Sequence, residues 1–536
     1  MVNKRSKMLC YLALPVLLVA VFVVQPSPAN AQMTSVGVDC SQIDVPSLLK
    51  HDNMRAGLIL IECGIVRGGQ PGAGSHHRSA APPNVRVSNG SDCSTADDLC
   101  GSESMVAAST ADKGQTVVVN YNTNYDNRTG YSGTSYSTDG GTTFTEIQPS
   151  PFNTGHGTNY GDPLVVYNSK LGMFFAGDLA AGCGTFGIGL WTSPDGKTWT
   201  VGSCPHAGTD DDRPSMWADN EPTSGTYGRM YVSFNDFAVD DGALSVVYSD
   251  DGVHWTGPVI VSGTSTFMRD VQITGSPRGA TQASGKHSTV FLASMDEGGG
   301  GDSMRTNYMY ISKNGGKTWK TVVMGSPFSP PGDAVCATNS YFWQVNPIIR
   351  HMGWGEPAVG PHGVVHYDFA GAGTNGDHGD IFYTRSTDGG GTWSTPIKLN
   401  TDTDNQFHEQ WMPSLSATSD GNVTASWYDR RKSTSTCTSV GDKGCNYERV
   451  GRQSKNNGKS WEKNEITISS SIITQPDQDD PEVQECYAGD YDYASALNAA
   501  DAGNSSGFAY VTWTDGRTKV GGSNVQNVDY ATVPEP

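Results

Sequence analysis

The stretch Ser386-Thr-Asp-Gly-Gly-Gly-Thr-Trp393 decides the fold, because it is one of six. Its companions are Ser137-Thr-Asp-Gly-Gly-Thr-Thr-Phe144, Ser193-Pro-Asp-Gly-Lys-Thr-Trp199, Ser249-Asp-Asp-Gly-Val-His-Trp255, Ser312-Lys-Asn-Gly-Gly-Lys-Thr-Trp319 and Ser454-Lys-Asn-Asn-Gly-Lys-Ser-Trp461. Each follows a short run with strand chemistry, namely Thr134–Tyr136, Gly189–Thr192, Leu244–Tyr248, Tyr308–Ile311, Ile381–Arg385 and Arg449–Gln453. The motif therefore belongs on a hairpin turn. Asp or Asn bonds the backbone of its own turn, glycine takes a positive φ, and the closing aromatic packs between neighbouring sheets.

A second pattern interleaves with the first: an acid, a short strand, a turn, a β-rich run and an Asp. It appears as Asp212-Arg-Pro-Ser-Met-Trp-Ala-Asp219 leading to Asp236, Glu356-Pro-Ala-Val leading to Asp368, Glu409-Gln-Trp-Met-Pro leading to Asp429, and Asp490-Tyr-Asp-Tyr-Ala leading to Asp515. Weaker copies start near Glu103, Asp162 and Asp270. Seven such units against six turns predict an all-β chain, a seven-bladed β-propeller, with six blades as the alternative. Asn84-Val-Arg-Val-Ser88 is a strand without a sheet, and Asn527–Val533 is the third strand of a unit that lacks a fourth. Pairing the two would close the ring and remove an open sheet edge. The expected organisation is a leader over 1–31, a preface over 32–83 that the repeat does not place, and the propeller over 84–536.

Strand alternation puts the acid that opens each unit and the Asp that closes its second strand on one face, at the mouth of a central channel. The repeated turns fall on the other face. Glu103, Asp162, Asp212, Asp270, Glu356, Glu409 and Asp490 form one set at that mouth, with Asp236, Asp296, Asp368, Asp429 and Asp515 beside it. Arg213, Arg269, Arg430, Arg431 and Arg517 join them, with Trp411 and Tyr428 as rim aromatics. The bland reading makes these residues turn formers and ion pairs between blades. The functional reading rests on their convergence at one concave site, where crowded carboxylates push their pKa values apart as acid–base chemistry requires.

The first residues carry Lys4, Arg5 and Lys7, then an apolar run over Met8–Val24, then Ala29-Asn30-Ala31. That order is a secretory signal, and it predicts a secreted chain with no membrane insertion after cleavage. Losing Cys10 with the leader would leave an even number of cysteines in a compartment where disulfides persist, with Cys93–Cys100 and Cys437–Cys445 as close pairs. No C-x-x-C pair suggests a metal, so none is expected from the cysteines. A formal net charge of −20 argues against nucleic acid as a partner. A monomer is expected.

The six turns resemble the Asp-box, or bacterial neuraminidase repeat, S-x-D-x-G-x-T-W, of the sialidase-like β-propeller superfamily, and the likeness spans Asn84 to Val533. It implies a glycoside hydrolase acting on an acidic glycan. Three arginines would grip the sugar carboxylate, an Asp would be the acid–base, and a Tyr helped by a Glu would be the nucleophile. Carried onto this chain, the arginines are Arg213, Arg430 or Arg431, and Arg517, with Arg269 nearby. The acid–base is Asp212 or Asp270, Tyr491 is the nucleophile, and Glu409 from the adjacent unit stands beside it. The resemblance puts the repeated turns on the face away from the ligand. The chain departs from the family where an Arg-Ile-Pro motif should precede the first turn: only Arg128 stands there, and Asp212-Arg213-Pro214 is the nearest analogue. Two other classes remain. One is a non-catalytic glycan- or protein-binding propeller, and the other is a polysaccharide lyase with His156, His206, His366 or His408 as base. No catalytic cofactor is implied; a structural calcium is the ion the carboxylates would suit, although no D-x-D-x-D-G loop occurs.

Overall fold

All six quoted serines are the last residue of a third strand, so the repeated turns join third to fourth strands. The computed structural model describes Cys40, Ile43, Ile59, Cys63 and residues 83–88, 101–125, 130–262, 268–280, 286–336, 339–346, 349–403, 408–433, 445–476, 486–520 and 522–536. The expected leader and Cys93, Cys100 and Cys437 lie outside the described residues. Disulfides join Cys40 to Cys63, Cys183 to Cys204 and Cys336 to Cys486. No described helix is long and apolar enough to cross a membrane.

The chain is all-β, with antiparallel sheets of four strands as the recurring unit, as in a β-propeller. Sheets I to VII take their first strands from Ser102–Ala108, Leu164–Asn168, Asp211–Ala218, Met268–Gly275, Pro357–Val359, Gln410–Ala417 and Ser495–Leu497. Sheet VI gains a fifth strand, Ile473–Thr474. In sheet VII the third strand, Ser523–Pro534, pairs with Val85–Arg86, so that Val85 faces Tyr530 and Arg86 faces Asp529. Each first strand touches the first strand of the next sheet, and Ser495–Leu497 touches Ser102–Ala108. A separate three-stranded sheet, Ala334–Val335, Trp343–Asn346 and Ile349–Arg350, is inserted between sheets IV and V.

The core lies between sheets rather than within one layer. Leu190 of sheet II packs with Val232 of sheet III, Leu244 of III with Ile273 of IV, and Val119 of I with Tyr530 of VII. Each sheet is apolar on both faces, which explains the near-continuous burial along its strands. The turns close the outer margin by local bonds. Ser386 Oγ donates to Asp388 Oδ1 at 2.7 Å and accepts from Gly390 N at 2.8 Å, while Thr392 N donates to Asp388 Oδ1 at 2.9 Å. Asn314 and Asn456 accept the same backbone bond, from Thr318 N at 3.0 Å and Ser460 N at 2.9 Å. That is why Asn replaces Asp there without changing the turn.

Trp393 donates Nε1 to Gly390 O at 3.2 Å and packs half-buried against the cluster that sheets IV and V share. Trp393→Ala should lower unfolding stability by up to about 3 kcal/mol, below the ~3–5 kcal/mol of a wholly buried aromatic. Denaturant unfolding reads this, and a change under 1 kcal/mol would remove the turn aromatic from the core.

Candidate functional site

Near the start of five first strands stands a non-glycine residue in the left-handed region: Glu103 (φ 40°), Asp162 (φ 59°, two residues ahead of Leu164), Arg213 (φ 47°), Asp270 (φ 61°) and Met412 (φ 49°). In sheets I, III, IV and VI the ladder slips register there, between Ser102 and Ser104, Asp212 and Ser215, Arg269 and Gln272, and Trp411 and Ser414. A bulge of this kind re-aims one side chain out of the pleat. Holding an L-residue at positive φ costs on the order of 1–3 kcal/mol, and such strain persists only where the surroundings fix it. Four of these five slots carry charge.

The charges meet around Arg213, which is buried. Its guanidinium lies 3.4 Å from Asp270 Oδ1 and 3.3 Å from Asp490 Oδ2, and its backbone N–H donates to Asp162 Oδ2 at 2.9 Å. It also lies over two rings, 4.1 Å from the centroid of Trp354 and 5.1 Å from that of Tyr491. Tyr491 stacks on Tyr493 at 4.6 Å, and Tyr493 donates its hydroxyl to Asp270 Oδ1 at 3.1 Å. Glu103 accepts from Asp490 N at 2.9 Å and from Asn122 Nδ2 at 2.6 Å. The Tyr491 hydroxyl is buried and has no hydrogen-bond partner among the described residues.

Burial sets the proton affinities. It pushes the Asp270 carboxyl up to about 6 against the opposing pull of Arg213. Burial, then the like charges of Asp490 and Asp162, hold Glu103 well above the usual carboxylate range. Tyr491 is raised by burial and then by the carboxylates Glu103 and Asp162. His351, buried and facing Arg213, is lowered to about 3 and so stays neutral.

The insertion between sheets IV and V roofs this cluster. Arg350 forks onto Asp490, with Nε 2.9 Å from Oδ1 and Nη2 2.8 Å from Oδ2. Trp354 donates Nε1 to Glu297 Oε1 at 2.7 Å, and Tyr341 donates its hydroxyl to the other oxygen of Glu297. The Cys336–Cys486 disulfide ties the insertion to the segment leading into sheet VII. A cavity of about 250 Å³ lies toward the other end of the first strands, walled by Ala108, Ala218, Val359 and Leu497. It reaches inward to Glu356 and Tyr493.

The residues expected at one open mouth divide into separate groups, nearly all enclosed. Asp212 pairs with Arg269 at 2.8 Å, one residue along from Arg213 and Asp270, and Arg269 lies over Phe237. Glu409 pairs with Arg430 at 3.1 Å, and Arg430 also donates to Val345 O in the roof. Glu409 is therefore committed to Arg430, and the carboxylates whose charge acts on Tyr491 are Glu103 and Asp162. Arg431 binds Asp429 and Glu465, and Arg517 binds Asp515 and Asp529, each folded back onto its own sheet. Trp411 and Tyr428 stack at 5.3 Å inside the core that sheets VI and VII share, so they are packing residues and not rim aromatics. His366 is buried between Tyr383 and Asn457. Arg350, Trp354 and Glu297 were not anticipated. The first two lie in the insertion, which has no repeat to point to them.

No protein-family model and no curated protein matches the sequence. Solved structures similar in fold include an α-L-arabinofuranosidase from Fusarium graminearum, 11% identical over 85% of this chain and 98% of that one, at a TM-score of 0.39. The intramolecular trans-sialidase from Ruminococcus gnavus is 14% identical over 83% of this chain and 97% of its own, also at 0.39. A Hadza microbial sialidase is 14% identical over 84% and 68%, at 0.37.

Asp270 keeps its proton to about pH 6 in the folded chain, against an ordinary value of 3.8. Between those values the folded state holds the extra proton, so stability falls as pH rises through that window. Asp270→Asn cannot titrate, and the fall in unfolding free energy between pH 4 and 7 should shrink by on the order of 2–3 kcal/mol. Denaturant unfolding at the two pH values measures it. An undiminished fall would mean that Asp270 is ionised throughout.

Proposed function

We propose that this chain is an exported seven-bladed propeller over residues 84–536, closed by Val85–Arg86, and that it is a sialidase-like glycoside hydrolase for acidic glycans. The cyclic order of first-strand contacts supports the ring. Deleting residues 84–88 should lower the melting temperature far more than deleting an exposed loop of equal length, because it strips a partner from Ser523–Pro534. Equal melting temperatures would defeat the closed ring.

The chemical reading rests on one observation above the others: a buried tyrosine hydroxyl without a hydrogen-bond partner among the described residues, under Arg213 and in the field of Glu103. In this reading Arg213 and Arg350 receive the carboxylate of the sugar, matching planar forks to a planar anion. Asp270, protonated near pH 6, donates to the leaving oxygen and later accepts a proton from water. Tyr491 attacks the anomeric carbon while its proton passes to Glu103. Glu103 takes the part that the sequence assigned to Glu409, and the insertion carrying Arg350 and Trp354 lifts to admit the glycan.

A second reading, a non-catalytic extracellular glycan- or protein-binding propeller, is favoured by the pairing of Arg213 and Arg350 with the chain's own carboxylates. Assaying the secreted protein on a panel of sialosides and uronic-acid polysaccharides separates the two. The hydrolase reading expects cleavage in the parent and its loss in Tyr491→Phe. That variant should melt no lower than the parent, since it removes a hydroxyl that makes no hydrogen bond among the described residues. A Tyr491→Phe variant that cleaves at the parent's rate would overturn the nucleophile, and binding without cleavage by the parent would favour the second reading.

A further inference from the structure

Outside the Arg213 cluster, His206, Asp211 and Asp236 each offer one donor atom, and these atoms lie within 4.8 Å of one another. Asp211 and Asp236 stand directly opposite on the first two strands of sheet III, and both are buried. Like charges facing across a ladder repel each other. His206 Nδ1 lies 2.7 Å from Asp211 Oδ2, while the nearby Arg269 gives Nη1 to Asp212. The second oxygen of Asp211, Oδ1, is wholly buried and has no hydrogen-bond partner among the described residues.

The surroundings are built rather than incidental. The His206 ring stacks on Phe234 at 4.7 Å, its carbonyl accepts from Ile188 N at 3.0 Å, and Asp211 N donates to Phe186 O at 3.1 Å. A Cβ on Gly208 would lie 2.4 Å from both carboxylate oxygens of Asp211, so the carboxylate has room only against a glycine. The His206 side chain keeps 17% exposure, a way in from solvent.

We propose that His206, Asp211 and Asp236 form a divalent transition-metal site that takes Zn²⁺. One imidazole nitrogen and two carboxylates suit zinc, with water completing the shell, whereas Ca²⁺ takes ~6–8 oxygens. The metal replaces the proton shared by His206 and Asp211, which leaves to solvent, and it sits between two carboxylates that otherwise repel. The similar grouping of His156, Cys183 and Cys204 cannot serve, because its cysteines are joined to each other.

The test is calorimetric titration of the full secreted chain with ZnCl2 after treatment with EDTA. One zinc should bind per chain, with a heat that depends on buffer ionisation as the proton leaves, and the melting temperature should rise. His206→Ala should weaken binding by more than the ~10–100-fold that loss of an outer-shell partner costs. The isosteric Asp236→Asn should also weaken it, yet melt no lower than the parent without zinc because the facing repulsion is gone. Absence of stoichiometric binding in the parent would overturn the site. So would unchanged affinity in both variants, which would assign the zinc elsewhere, for example to the exposed His254–Asp251 pair.

Discussion

Burial of both faces of each sheet against its neighbours is the constraint on which everything else depends. A sheet that is apolar on one face can end a fold by turning its other face to water. These sheets cannot: Val232 packs toward sheet II, while Leu244 packs toward sheet IV. Each sheet therefore demands another, and twist between neighbours bends the series until Ser495–Leu497 reaches Ser102–Ala108. First strands in contact one after another bring their leading residues into one small volume. The charged cluster is a consequence of that geometry, and its members come from sheets I, II, III, IV and VII because no single sheet could supply them.

The outer margin of the fold was legible because its causes are local. Ser386, Asp388, Gly390 and Trp393 bond within a single turn, so their spacing records the turn directly. The inner end was legible only in outline, because aligning the units by their acids misjudges the backbone. In sheets I, II and IV the left-handed slot holds the acid itself, Glu103, Asp162 and Asp270. In sheet III it holds Arg213, one residue after Asp212, and in sheet VI it holds Met412, three residues after Glu409. Glu409 thus looks equivalent to Glu103 in sequence while occupying a different place in the bulge. Arg350 and Trp354 reach the cluster from an insertion whose position depends on a disulfide and on Glu297, features with no period to read.

Charge balance explains why protons matter at this site. Glu103, Asp162, Asp270 and Asp490 surround two guanidiniums, those of Arg213 and Arg350, in a volume from which solvent is largely excluded. Four carboxylates cannot all stay ionised beside two cations at low dielectric, and protonation is the cheapest relief. Burial raises both Glu103 and Asp270; at Glu103 the like charges of Asp490 and Asp162 add to it, whereas at Asp270 it acts against the pull of Arg213. A buried ionic cluster adds little stability compared with well-packed apolar residues. Its five-sheet origin and its positive-φ backbone are therefore better understood as the geometry of a polar site than as reinforcement of the fold.

Asp490 then occupies the position that a ligand carboxylate would need. It takes two bonds from Arg350 and one from Arg213, the arrangement an acidic sugar would seek from the same two guanidiniums. An incoming anion must displace it, and the freed Asp490 must find a proton or another donor; its own N–H already bonds Glu103. Since Arg350 belongs to the insertion, the proposed lifting of the roof and the release of Asp490 would be one motion. In the proposed reading, the step that opens the site would also free the internal carboxylate that fills it, so access and affinity for an anionic ligand would be coupled through Arg350.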